Sequence, residues 1–172
     1  MTLTSKILIL MAGLALAGCT DPNRFSGSAG GAGAGGAGSG AIVPGSANDP
    51  TSTAYFNQTV GDRVLFAVDQ SAISDAGQVV LNGQAEWLLN NTDFTAVIEG
   101  HADEQGTREY NVALGARRAN AVREYLVSRG VAGNRLQTVS YGKERPIEIC
   151  SSEACYEKNR RAVTVLASGL SG

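Results

Sequence analysis

After Pro50 the sequence predicts an α+β domain: a two-layer sandwich in the order βαβαββ, with helices on one face of a mixed four-stranded sheet. Three observations carry that expectation. Residues 94–100 (FTAVIEG) alternate with period two, two long helical segments each open on a capping residue, and three further β-rich runs surround them.

Taken in order, residues 63–68 (RVLFAV) form the first β-rich run. Ser74 caps a helix with Val79, Val80, Gly83, Trp87 and Leu88 at helical spacing, ending at Asn90 and Asn91. Residues 94–100 place Phe94, Ala96 and Ile98 on one face and Thr95, Val97 and Glu99 on the other. Thr107 caps a long helix that reaches Arg129 and stops at Gly130, with Tyr110, Ala113, Leu114, Ala121, Val122, Tyr125 and Leu126 as its apolar positions. Residues 136–141 form a third strand, 142–158 an irregular stretch, and 161–166 (RAVTVL) the last strand.

Ahead of Pro50 nothing reads as folded. Residues 1–18 carry Lys6 and then an apolar run too short to span a bilayer, the pattern of a signal peptide. The run ends in Leu16-Ala17-Gly18-Cys19, which resembles a bacterial lipobox, so the mature chain is expected to begin at a lipidated Cys19. Thr20 follows the cysteine where an aspartate would favour inner-membrane retention, which points to the outer membrane, although Asp21 stands one place further on. Several acyl chains anchor where one alone is marginal. Residues 19–49 then read as a tether: positions 26–40 are all Gly, Ala or Ser, a composition with nothing to bury. A random coil of that length has a root-mean-square reach of about 30 Å. Its Gly31–Gly36 stretch satisfies GxGxxG, but with no strand before it and no helix after it nothing orients amides at a phosphate.

Composition excludes several function classes. With 14 Lys and Arg against 16 Asp and Glu there is no basic footprint for nucleic acid. A single histidine, His101, excludes paired-histidine zinc sites, and no cofactor is expected. Cys150 and Cys155 read as a possible disulfide closing a small loop; a thiol nucleophile would need His101 as its base.

The densest polar cluster is residues 100–107 (GHADEQGT), the turn from the second strand into the long helix. On that helix Asn111, Leu114 and Arg118 share a face, so Asp103 and Arg118 are candidates to flank one cleft. An aspartate beside an arginine is a minimal receptor for a zwitterionic amino-acid group, the guanidinium taking its carboxylate and the aspartate its ammonium. Without a ligand the same two residues simply form a salt bridge, the commoner arrangement in general. His101, Asp103 and Glu104 also make an HxDE string, compatible with a weakly held hard cation and hence with a metal-assisted hydrolase of cell-wall material.

The string GHADEQGTREYNVALGARRANAVREYL, followed by VSYGKERP and KNRRAVTV, resembles the OmpA-like peptidoglycan-binding domain, over residues 61–166. A lipobox and small-residue tether in front of it are similar to the family's lipid-anchored branch. The resemblance implies the OmpA-C-like sandwich, no catalysis, and noncovalent binding of meso-diaminopimelate in peptidoglycan stem peptides. The family's GHxD aspartate falls on Asp103 and its arginine before the Ala-Asn pair on Arg118, with Asn111, Leu114, Asp69 and Arg160 in support. It further implies tethering of the outer membrane to the wall, the periplasmic propeller protein TolB as partner within the Tol-Pal system, and a part in constriction at division. One position departs: the family's F-x-F-D reads Phe66-Ala67-Val68-Asp69 here, replacing an aromatic wall by valine.

Overall fold

A computed structural model describes residues 42–168. The signal peptide, Cys19 and the tether up to residue 41 lie outside the described residues. Turns already occupy residues 43–52, where Ser46, Asp49 and Ser52 N–H groups each donate to a carbonyl three residues earlier. Trp87 Nε1 donates to the Pro50 carbonyl at 2.7 Å, fastening this entry segment to the domain.

The elements are α1 (Thr53–Tyr55), a π-helical turn (Phe56–Gly61), β1 (Arg63–Leu65), α2 (Asp75–Asn90), β2 (Phe94–His101), α3 (Arg108–Ser128), a 3-10 turn (Gly133–Arg135), β3 (Leu136–Gly142), α4 (Glu153–Asn159) and β4 (Arg161–Ser168). The sheet order is β1-β4-β2-β3, antiparallel except for the β2–β3 pair. It is therefore the mixed four-stranded sheet that the pattern predicts. Both caps form: Ser74 Oγ accepts from Gly77 N–H, and Thr107 Oγ1 from Tyr110 N–H. Gly130 takes a φ of +100° just past α3, a conformation glycine adopts at little cost.

One face of the sheet is covered. Ala96, Ile98, Leu136 and Ala162 join Leu81, Ala85 and Leu88 of α2 and Ala119, Val122 and Leu126 of α3 in a single core. Phe56, Trp87 and Phe94 extend it as an aromatic run with ring centroids 5.0 and 5.1 Å apart. The opposite face leaves Leu65 and Val165 exposed.

Three expectations need correction. The stretch 142–158 contains the seven-residue helix α4, too short for a helical period to show. On α2, Trp87 and Leu88 are buried as expected, but Val79 is 72% exposed, and the buried stripe otherwise runs through Gly77, Leu81, Gln84 and Ala85. The first strand is shorter than the β-rich run, because the chain turns at residues 67–70 and Asp69 adopts a φ of +59°.

Candidate functional site

The site is assembled where β2 ends and α3 begins, and a glycine contact sets the spacing. A Cβ on Gly100 would lie 1.8 Å from the Gly115 carbonyl oxygen, so only glycine lets α3 settle this close to the strand. That approach brings the first turns of α3 against two loops, residues 66–70 after β1 and residues 102–107 after β2.

Between them lies a cleft of about 250 Å³ lined by Val68, Asp69, Asp103, Gln105, Gly106, Tyr110, Asn111 and Leu114. Four of the six residues singled out in the sequence thus share one concave surface. Asn111 is buried and its Nδ2 donates to the Gln105 carbonyl at 2.7 Å, while Asp103 Oδ1 accepts from Gln105 N–H at 3.2 Å. Lys143 Nζ donates to the Glu104 and Gly106 carbonyls from the other side. The loop is therefore gripped at three successive residues, Glu104, Gln105 and Gly106.

The other two singled-out residues lie behind the cleft. Arg118 is completely buried, and its guanidinium donates to three backbone carbonyls: Gln70 at 2.8 Å, His101 at 2.8 Å and Ala67 at 3.2 Å. It lies 5.2 Å from the centre of the Phe66 ring. Burial pulls it down to about 10, with the Asp103 and Asp69 carboxylates opposing that fall, so it is a cation at neutral pH. Arg118 makes no ion pair with Asp103. The partner of Asp103 is Arg160, Nη1 to Oδ2 at 3.2 Å, with both side chains nearly buried. Arg160 also binds Glu153; burial alone would lower it, but these two carboxylates hold it above the ordinary arginine value.

Several site residues escape the sequence reading. Tyr110, expected in the core, is 43% exposed and lines the cleft, and its hydroxyl donates to Asp69. It supplies an aromatic surface beside Val68, where the family motif has its own aromatic. Its position three residues after the cap Thr107, next to Asn111, is the only local signal. Glu104 points away from the cleft, accepting from Ser151 Oγ and Tyr156 Oη at 2.9 Å each.

His101 does not join Asp103 and Glu104. Its ring is buried 5.6 Å from that of Tyr141, and burial, reinforced by Arg161 and Arg145, pushes it down to about 4. The three side chains of the HxDE string have three separate sets of neighbours, and among the described residues no group of His, Cys, Asp and Glu is placed to hold a metal ion. A larger cavity, about 460 Å³, lies between the entry segment and α2, lined by Trp87, Tyr55 and Glu86 among others; it brings one carboxylate and no cation together.

Known proteins match this architecture closely. The OmpA family profile matches residues 65–160. A peptidoglycan-associated lipoprotein of Rhizobium meliloti is 50% identical over 160 residues, covering 93% of this chain and 86% of that one. The crystal structure of the peptidoglycan-associated lipoprotein from Burkholderia pseudomallei superposes with a TM-score of 0.64 at 36% identity, over 69% of this chain and all of that one. The C-terminal domain of Helicobacter pylori MotB shares the fold, with a TM-score of 0.59 at 23% identity over 63% of this chain and 86% of that one. The family profile across the cleft residues, the half-identical relative and the shared fold have one common explanation: the chain belongs to the OmpA family, among its peptidoglycan-associated lipoproteins.

Proposed function

We propose that the chain binds peptidoglycan noncovalently, taking the zwitterionic end of a meso-diaminopimelate side chain into the cleft. The observation that carries this reading is the convergence of Asp69 and Asp103 in one cleft in front of the buried cation Arg118. The ligand's ammonium group docks on the two carboxylates. Its carboxylate is drawn by the positive charge of Arg118 from behind the wall, where low dielectric strengthens the attraction. Three of the five guanidinium N–H groups already serve backbone carbonyls, so Arg118 also fixes the positions of both loops. Tyr110 and Leu114 give the ligand's methylenes an apolar surface.

The protein acts by holding, not by turnover. Lipid at Cys19 fastens it to the outer membrane, and the tether keeps the domain at high effective concentration beside the wall, so modest single-site affinity suffices. We infer partnership with TolB in the Tol-Pal system, and a part in envelope constriction at division, from the family resemblance alone; no contact in the fold bears on either.

The test is calorimetric titration of the full chain with a diaminopimelate muropeptide and with its lysine counterpart, which lacks the extra carboxylate. Binding of the first should exceed that of the second by roughly tenfold, about 1.4 kcal/mol of attraction between the extra carboxylate and the Arg118 charge. Asp103→Ala should abolish both. Equal affinity for the two, or undiminished binding by the variant, contradicts the reading.

A further inference from the structure

Beyond the cleft itself, one segment with no assigned part in binding touches it from behind. A disulfide joins Cys150 to Cys155 and closes a short ring through Ser152 and Glu153 into the start of α4. Two acidic side chains connect that ring to the binding loop. Glu104 of the loop accepts from Ser151 and Tyr156, the residues that each follow one of the two cysteines. Glu153 of the ring binds Arg160, whose other terminal nitrogen binds Asp103 and whose Nε donates to the Phe66 carbonyl.

The charges in that chain of contacts decide what the cleft offers. Arg160 is almost fully buried, and with Asp103 as its only acidic partner it would neutralise the carboxylate that a ligand's ammonium group needs. With Glu153 on the second nitrogen, the three side chains carry one excess negative charge. Of the two carboxylates, Asp103 is the one that lines the cleft. The Glu153 side chain is 65% exposed, so apart from its ion pair with Arg160 it is placed only by its own short helix, at the start of which the disulfide closes.

We propose that the disulfide-closed turn belongs to the binding apparatus: by fixing Glu153 on Arg160 it leaves the charge of Asp103 available to the ligand's ammonium group. Glu153 is thus a positioning residue, and the proposal rests on the cleft being an ammonium and carboxylate receptor.

The test is titration of the full chain with the diaminopimelate muropeptide, well below each variant's melting transition. The variants are Glu153→Gln, the double change Cys150→Ser with Cys155→Ser, and all three together. Each of the first two should weaken binding roughly three- to tenfold, and the combination should be no weaker than either, because both act through one contact. Glu153→Gln should also flatten the salt dependence of the affinity, which a purely structural lesion would leave alone. If the wild type binds and Glu153→Gln binds equally well, or the losses add as for independent sites, the proposal fails and the cleft reading stands. A wild type that does not bind the muropeptide overturns both.

Discussion

Helix α3 buries one continuous stripe, and its two halves are built from different chemistry. Toward the C-terminus the stripe is Ala119, Val122 and Leu126, packed in the apolar core. Toward the N-terminus it is Asn111, Leu114 and Arg118, and its polar members donate to carbonyls of the loops that line the cleft. The apolar half gains free energy from area removed from water, which is tolerant of shape. The polar half gains from directional bonds, which fix the two loops relative to each other. Stability and site geometry are therefore separable along a single helix.

Substitutions along the stripe can break that division. The largest effect is expected at Arg118→Ala, which leaves three backbone carbonyls without their donor beneath the cleft: about 4 kcal/mol of stability and all muropeptide binding should be lost, measured by urea denaturation and calorimetry in parallel. Leu126→Ala, in the other half, should cost about 3 kcal/mol through the cavity it leaves, yet retain wild-type affinity wherever the protein is folded. Loss of affinity in a folded Leu126→Ala protein would end the separation.

A pH series sharpens the same comparison, since His101 adjoins the polar half and is held neutral. Its folded value of about 4 lies below the ordinary 6.5, so the unfolded chain binds the proton more tightly. Stability is then complete above pH 6.5 and falls as the pH drops toward 4, by about 2 kcal/mol between pH 7 and pH 5. His101→Gln should flatten urea midpoints across that window. Glu104 acts lower: its carboxylate is held below the ordinary value by Ser151 and then Tyr156, so its contribution is lost as pH falls from the ordinary carboxylate value through that depressed one. The smallest effect is expected at Asn111→Ala, about 1 kcal/mol for the unpaired Gln105 carbonyl, with a larger proportional loss of affinity than of stability.

What the sequence makes legible follows the same boundary. Capping by Ser74 and Thr107, the stop at Gly130 and the alternation in β2 are local signals, and each element formed around them. The shared face of Asn111, Leu114 and Arg118 is likewise a matter of helical spacing. Their partners are not. Arg118 reaches carbonyls up to 51 residues away in sequence, and Asp103 finds Arg160 57 residues on; neither contact leaves a periodic trace. The family resemblance marks Arg160 as a supporting residue without revealing that it, and not Arg118, pairs with Asp103. Hydrophobic periodicity also misplaces Tyr110, because the polar half of the stripe buries Asn111 and Arg118 and turns an adjacent aromatic outward into the cleft. Helix α4 is invisible for a different reason: its seven residues are too few for a period and are stabilised from outside, by the disulfide and by Arg160.

The claim that the polar half of α3 builds the receptor is most directly tested by a backbone amide NMR titration of the full chain with the diaminopimelate muropeptide. Shifts should concentrate at Asp69, Asp103, Gly106 and Tyr110 and be absent around Trp87 and Glu86 of the larger cavity. Shifts centred on Trp87, with the residue 102–107 loop unmoved, would contradict it.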